Sequence, residues 1–336
     1  MKSIHLVIPD LFLPPDIAVE ALQGQHLPYL QKLLGRGTHQ HLDYAVPEVM
    51  LCELFGVEPA DEAPVAPISA AFDGLGAGCW MRADPVHLFF ERDRIMLGEV
   101  EPAMEEAAAL CASLNDHFAG QGVVFFAPHP RRWYLKLESF PDIHTIPLSQ
   151  AITSDMRSNL PHGADATYWH GVLNEVQMLL HAHPVNEARE SRRLPPINSL
   201  WFWGSGCSTD AKPEPGFDAV CADDTLPEML AAVARIPFRK LPLQWSDEQI
   251  DARQLLVLTG IRTALRQGDI TVWRSAMQDL EQGYARPLWQ ALRSGRVQQL
   301  RLDATGSDRR LHVVLTRGDA WSFWRSVPPI ARYSMV

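Results

Sequence analysis

LPPINSLWFWGSG, residues 194–206, runs from two prolines and an asparagine through Leu200, Trp201, Phe202 and Trp203 into Gly204-Ser205-Gly206. An apolar run with no polar alternation belongs to a strand buried on both faces, as in a sheet sandwiched between helices. The Gly-Ser-Gly triplet then predicts a turn at the ligand-bearing edge of that sheet. The two indole N–H groups, once buried, require hydrogen-bond acceptors. The triplet lacks the outer glycine of a G-x-S-x-G elbow, which argues against a serine-hydrolase nucleophile here.

Residues 3–9 read as a short buried strand, and residues 26–35 as an amphipathic helix with Leu27, Leu30, Leu33 and Leu34 on one side. A second helix over 48–56 stops at Gly56. Residues 68–101 are rich in aromatic and β-branched side chains around turn signals and predict a hairpin or meander, with Gly74 to Gly78 as a hairpin turn. A helix over 101–119 and strands over 122–127 and 132–138 complete a compact α+β stretch. Then come a helix over 165–182, strands at 219–221 and 255–259, and a helix over 226–235 between those two strands. A long helix over 270–292, bent or broken near Gly283 and Pro287, precedes strands at 299–303 and 311–316.

Strands separated by helices predict an α/β fold: a largely parallel sheet with helices on both faces, built from residues 1–70 and 160–336, plus an inserted α+β lid domain at 71–159. Ligands of such sheets bind at the carboxyl ends of the strands. The loops after Ile8, Trp203, Leu258 and Leu315 are therefore the places to look. Asp10 stands in the first of these, where an α/β enzyme would hold a divalent metal, although a turn or helix cap uses the same residue. Asp319 has the same ambiguity after the strand at 311–316.

Composition narrows the partners. A net charge of −10 over 336 residues, with no basic stripe, argues against nucleic acid. The apolar run of MKSIHLVIPDLFLPP is broken by Pro9 and Asp10, which makes a poor signal peptide and a good first strand. No uncharged run approaches the ~20 residues that span a bilayer. The expectation is a cytoplasmic protein with neither nucleic acid nor membrane as partner. The five cysteines, Cys52, Cys79, Cys111, Cys207 and Cys221, are odd in number and scattered, which predicts free buried thiols. His170 and His181 share a helix face but lie roughly 16 Å apart, so they read as hydrogen-bonded or solvated side chains and not as metal ligands. Asp84, His87, Glu91 and Asp93 read as a solvated sheet face with cross-strand ion pairs.

Six segments in order, HLPYLQKLLGRGTHQ, PEVMLCELFGV, WMRADPVHL, PHGADATYWH, LLHAHPVNEAR and PPINSLWFWGSG, give the chain a family likeness. It resembles the archaeal-type branch of the cofactor-independent phosphoglycerate mutases, in the alkaline phosphatase superfamily, and within it a group of bacterial mutase-like or regulatory proteins. The resemblance implies an alkaline phosphatase-like core holding two divalent metals, manganese or zinc, and a serine nucleophile under a lid that closes on a phosphorylated three-carbon acid. The metals would clamp the attacking and leaving oxygens while the serine carries the phosphoryl group.

Checked residue by residue, that machinery is largely missing. The serine position counts back from Gly56 to Pro47. The Asp-x-x-x-His run due after the strand at 255–259 reads GIRTALRQGD, and the closing Thr-Gly-Asp-His reads TRGDAW, with Thr316 and Asp319 as remnants. Of the metal ligands, only Asp10 and Asp319 have candidates. Arg82, His183, Asn186, Arg189 and Asn198 stand at motif-like positions on the substrate side and are the expected anion pocket, since arginines suit phosphate and carboxylate. The expectation is a degenerate relative without a cofactor, regulatory in role, which binds a phosphorylated metabolite or a protein partner. The alternatives are an active metal-dependent mutase or phosphatase, and an interaction scaffold that uses Trp321 and Trp324.

Overall fold

The computed structural model describes residues 2–58, 62–209, 211–246, 252–266, 268–306 and 308–334. Their strands, in chain order, are β1 (Ser3–Phe12), β2 (Thr38–Asp43), β3 (Cys79–Glu91), β4 (Arg94–Glu99), β5 (Val123–His129), β6 (Arg132–Leu137), β7 (Ser199–Cys207), β8 (Ala219–Ala222), β9 (Phe238–Lys240), β10 (Arg253–Val257), β11 (Gln299–Gly306) and β12 (Arg309–Thr316). The chain divides into two compact units, residues 1–47 with 215–336, and residues 48–214. These boundaries differ from the expected 70 and 160, because β7 pairs with β3 and the helix Ala166–His181 packs on β7. Among the described residues, no helix is long and apolar enough to cross a membrane.

In the first unit the strands follow the order β2-β12-β11-β1-β10-β8-β9, and β12 alone runs against the others. This is the largely parallel sheet expected. Ile4, Leu6 and Ile8 of β1, with Leu300, Leu302 and Val313, pack on Leu30, Leu33 and Leu34 of the helix Pro28–Gly35 and on Trp273, Met277, Leu288 and Trp289. The near-continuous burial along β1 is what two covered faces demand.

The predicted break near Gly283 takes the form of a π turn, Glu281–Ala285, between the helices Ile270–Leu280 and Arg286–Ser294. Trp245 N–H donates to the Gly283 carbonyl at 2.9 Å. A Cβ on Gly283 would lie 2.8 Å from the Leu243 carbonyl oxygen, so a side chain has no room there. The turn delivers the fully buried Glu281 carboxylate to the start of Pro28–Gly35, where it accepts from Tyr29 N–H and Leu30 N–H at 2.8 Å each. That helix has no side-chain cap of its own, so a residue about 250 positions away satisfies its first donors. Glu281→Gln keeps the volume but only one acceptor oxygen, and it is expected to cost about 1–2 kcal/mol. The check is a urea midpoint that falls at constant slope; an unmoved midpoint would mean that water or another acceptor serves those donors.

The second unit holds an antiparallel sheet in which one edge of β3 pairs with β7 and the other with β6 and then β4, β5 lying beyond β6. The apolar strand of residues 199–207 is therefore buried as expected but belongs to this sheet and not to the parallel one. The physical reason behind the expectation still holds. Phe202 meets Trp169 of the helix Ala166–His181 edge to face at 5.6 Å, while Trp201 and Trp203 lie on the other face, with Arg82, Asp84 and the helix Val65–Phe72. Both indoles find acceptors, Trp201 the Ile146 carbonyl at 2.8 Å and Trp203 the Asp84 carboxylate at 2.7 Å.

Gly204-Ser205-Gly206 does not turn the chain. The strand continues to Cys207, and the register shift opposite Met81 makes a β-bulge with Gly204 in the left-handed region, φ +66°. A Cβ on Gly206 would stand 2.6 Å from the Pro64 side chain, so the second glycine admits the chain entering the helix Val65–Phe72. That helix also corrects the meander expected over 68–101: Gly74 to Gly78 join a helix to β3 and do not close a hairpin.

The prediction of five free thiols is likewise corrected. Cys79 and Cys207 face each other in the β3–β7 register and form a disulfide, while Cys52, Cys111 and Cys221 are free and buried. The pairing joins positions 128 residues apart, which spacing alone does not reveal.

Candidate functional site

In the first unit the carboxyl ends of β1, β10 and β8 lie side by side. β1 passes through an irregularity at Asp10, whose backbone sits at φ +56°, an uncommon region for a non-glycine residue that asparagine and aspartate visit most readily. Its N–H donates to Thr305 Oγ1 at 2.9 Å. Its carboxylate faces the guanidinium of Arg262, Nε to Oδ2 3.2 Å, from the helix Gly260–Arg266 that follows β10. A chain-borne cation thus stands at the carboxylate that the family resemblance assigns to a metal.

β8 is followed directly by Asp223 and Asp224, which sequence reasoning passed over. Asp224 caps the helix Thr225–Ala234 by accepting from Thr225 N–H. Asp223 accepts from Thr259 N–H and Oγ1 at 2.8 and 3.0 Å and so ties the end of β8 to the end of β10. Burial pushes the Asp223 carboxyl up, and the Thr259 bonds oppose that shift. A cleft of about 360 Å³ opens beside it, lined by Asp223, Thr259, Thr263, Ser275 and Asp279 among others. Its two carboxylates, with no cation among the lining residues, disfavour a phosphate.

Asp10 and Asp319 do not share a site. β12 runs against β11, and its last residue, Thr316, pairs with the first residue of β11, Gln299. Asp319 therefore lies beyond the amino edge of the parallel strands, whereas Asp10 is held at Thr305, near the carboxyl end of β11. An eight-residue strand separates them by roughly 20 Å. The Asp319 carboxylate instead accepts from Thr316 N–H and Oγ1 at 2.9 and 2.7 Å and meets Arg325 at 2.9 Å, closing a capping box. Pro47, at the nucleophile's position, opens the helix Pro47–Leu54 and has no nucleophilic atom. One turn into that helix, burial pushes the Cys52 thiol up to about 12, with Glu48 and Glu53 adding to the shift, so it is inert near neutral pH.

The residues expected to form an anion pocket lie in the second unit, and their polar atoms are taken by the chain itself. Arg82 is buried and bidentate on Asp84, Nε and Nη2 to Oδ1 at 3.0 and 2.7 Å. Its guanidinium lies between the Tyr134 and Trp203 rings, 5.3 and 5.2 Å from their centroids. Asp84 is thus no solvated sheet residue: burial pushes its carboxyl up, and Arg82 and the Trp203 indole pull it back. Arg189 donates to the Pro195 carbonyl and to Glu106 at 2.9 and 2.5 Å. His183 caps the helix Pro184–Ser191 and contacts Ser113. Asn186 binds the backbone of Leu180 and Ile197, and Asn198 that of Leu88. The motif-like positions hold loops and strand ends together, and no free guanidinium results from them. Ser205 is equally committed, with its N–H and hydroxyl on the Glu62 carboxylate, which also receives both donors of Thr145.

Among the described residues, one group of three metal-ligating side chains has its ligand atoms within 4.8 Å of one another: His5, Asp303 and His312, on a face of the parallel sheet and not at its edge. The strand-end residues do not fit a two-metal centre. Asp10 already holds a cation of the chain, Asp223 is engaged with Thr259, and Asp224 caps a helix.

No protein-family model matches the chain. A 2,3-bisphosphoglycerate-independent phosphoglycerate mutase of Methanosarcina acetivorans is 26% identical over 201 residues, 55% of this chain and 49% of that protein. A second, from Methanothrix thermoacetophila, is 29% identical over 102 residues, 30% of this chain and 26% of that protein. The chain thus spans half or less of the curated relatives it matches. Among solved structures, a protein from Pyrococcus horikoshii has TM-score 0.56 at 13% identity, covering 99% of this chain and 92% of that one, a likeness of fold. A cofactor-independent phosphoglycerate mutase from Thermoplasma acidophilum has TM-score 0.47 at 16% identity, covering 100% and 99%.

Proposed function

This chain being a relative of the cofactor-independent phosphoglycerate mutases, we infer that it works by binding and not by phosphoryl transfer, as a mutase-like protein in a regulatory role. The observation that carries this reading is Arg262 on Asp10. Phosphoryl transfer in the family manner needs metal charge at that carboxylate, and a guanidinium that supplies charge without open coordination positions takes its place. Pro47 at the nucleophile's position and Asp319 at the far edge of the sheet point the same way.

The partner on this reading is another protein and not a phosphorylated metabolite. Every arginine at a motif-like position is neutralised within the chain, and the cleft at the strand ends carries two carboxylates and no cation among its lining residues. Large aromatic side chains meanwhile stand exposed at one place in the first unit: Trp321 at 51%, Phe323 at 80% and Trp324 at 72%. Clustered exposed aromatics of this kind mark interaction surfaces.

Purified chain supplied with manganese is expected to show no interconversion of the phosphoglycerates above background, and phosphorylated three-carbon acids are expected to leave its melting temperature unmoved. A ligand at 100 times its dissociation constant would add about 2.7 kcal/mol. Turnover that disappears in Asp10→Asn, with two manganese ions per chain, would overturn the reading in favour of an active enzyme. A thermal shift without turnover would replace the protein partner by a metabolite.

A further inference from the structure

β1, β11 and β12 are neighbours, and their order places three side chains together that are 298 and 9 residues apart in sequence. Asp303 pairs directly with His312 across the antiparallel β11–β12 ladder. In the parallel β1–β11 ladder Asp303 pairs with Val7, so His5, two residues earlier in β1, lies on the same face and reaches it diagonally. His5 Nε2 is 2.5 Å and His312 Nδ1 3.0 Å from the same carboxylate oxygen, Asp303 Oδ2. The other oxygen, Oδ1, accepts from Arg310 Nε at 2.9 Å. Asp303 is fully buried, His5 nearly so, and the His312 side chain is 20% exposed.

The arrangement holds more than charge balance requires. Arg310 alone neutralises Asp303 and fixes one of its oxygens. Two imidazoles nevertheless converge on the remaining oxygen, and they are the side chains with the highest affinity for borderline metals. Two imidazole nitrogens and one carboxylate oxygen are the donor set of open zinc-class centres, in which solvent takes the fourth position. The exposed part of His312, beside the edge strand β2, gives that position access to solvent. Arg310 then acts as the outer hydrogen-bond donor that orients a ligating carboxylate. The same arginine keeps Oδ1 out of coordination, so Asp303 would bind through Oδ2 alone.

We propose that His5, Asp303 and His312 form a divalent transition-metal site of the zinc and cobalt class on the face of the parallel sheet. It is separate from the strand-end position of Asp10 and holds whether or not the binding reading above is right. Movements of up to about 1 Å, opening the 2.5 Å contact to the roughly 3.3 Å that separates two ligands around one tetrahedral ion, complete it.

The full chain, stripped with chelator and titrated with cobalt(II), is expected to bind one ion with the visible ligand-field bands of a tetrahedral centre, displaced by zinc. His312→Gln, at the half-buried corner, is expected to weaken binding by at least about tenfold, and His5→Gln to do the same. Asp10→Asn is expected to leave the bands unchanged. If His5→Gln proves unfolded by circular dichroism, His312→Gln decides alone. No band in the wild-type chain overturns the proposal, as does a band of unchanged affinity in His312→Gln. A band that is lost in Asp10→Asn and kept in both histidine variants would assign the ion to the strand ends, which overturns this proposal and the binding reading in distinguishable ways.

Discussion

Asp84→Ala is expected to cost the unit of residues 48–214 about 3–5 kcal/mol, the loss typical of breaking a buried ion pair from one side. Arg82 stays charged at any accessible pH, and in the variant its guanidinium remains between Tyr134 and Trp203 with, among the described residues, only Ser69 Oγ, 3.5 Å away, in hydrogen-bond range of its side chain. The two rings offer cation–π attraction of roughly 0.5–2 kcal/mol each, and they already make that contribution in the wild type. The Trp203 indole N–H loses its acceptor as well. Asp84→Asn, which keeps an acceptor for Trp203 and loses the charge, should fall between the two. Replacing both partners, Arg82→Met with Asp84→Leu, should recover most of the loss, because no charge is then left buried. The measurement is a set of denaturant midpoints for the three variants. If Asp84→Ala lies within about 0.5 kcal/mol of wild type, Arg82 has another counter-ion, and the anion pocket read from the motif returns as a live reading.

The parallel sheet was legible because burial on both faces leaves its own mark. β1 reads SIHLVIPDLF with one interior polar residue before Pro9, and no half-exposed strand would tolerate that run. β7 carries the same mark for the same reason, since helices cover both of its faces, but periodicity says nothing about the direction of the neighbouring strand. Because β7 belongs to the antiparallel sheet, the unit boundary falls elsewhere and Gly204–Gly206 form a bulge and not a turn. The site residues failed in a different way. Asn186, Arg189 and Asn198 stand at motif-like positions of an anion pocket, yet buried backbone groups at loop ends need the same donors and acceptors, and in this chain the backbone takes them. Asp223 had a readable signal, a short apolar strand, AVCA, closed by two aspartates just before a helix. His5, Asp303 and His312 had none, because a single polar residue in an apolar strand looks solvent-facing until the strand order is known.

Removing the disulfide with Cys79→Ala and Cys207→Ala is expected to cost about 2–5 kcal/mol. The bond closes a chain segment of 128 residues, roughly three quarters of the second unit, so it restricts the unfolded chain far more than a local link would. Loop-closure entropy for that length comes to about 5 kcal/mol, and measured values usually fall short of the entropic figure because the unfolded chain keeps residual structure. The folded side loses little: the two residues face each other in register, and β3 and β7 keep their ladder from Val86 to Arg82 without the bond. The stabilisation therefore acts on unfolding and not on the geometry around Arg82. Two measurements follow. Thiol titration in denaturant without reductant should find three reactive cysteines, Cys52, Cys111 and Cys221, and five once reductant is added. The guanidinium midpoint of the wild type should fall to that of the double variant when reductant is present, with the denaturant slope rising as the reduced chain unfolds further. Five reactive thiols from the start, or a double variant as stable as the oxidised wild type, would show that the β3–β7 contact stands without a covalent link.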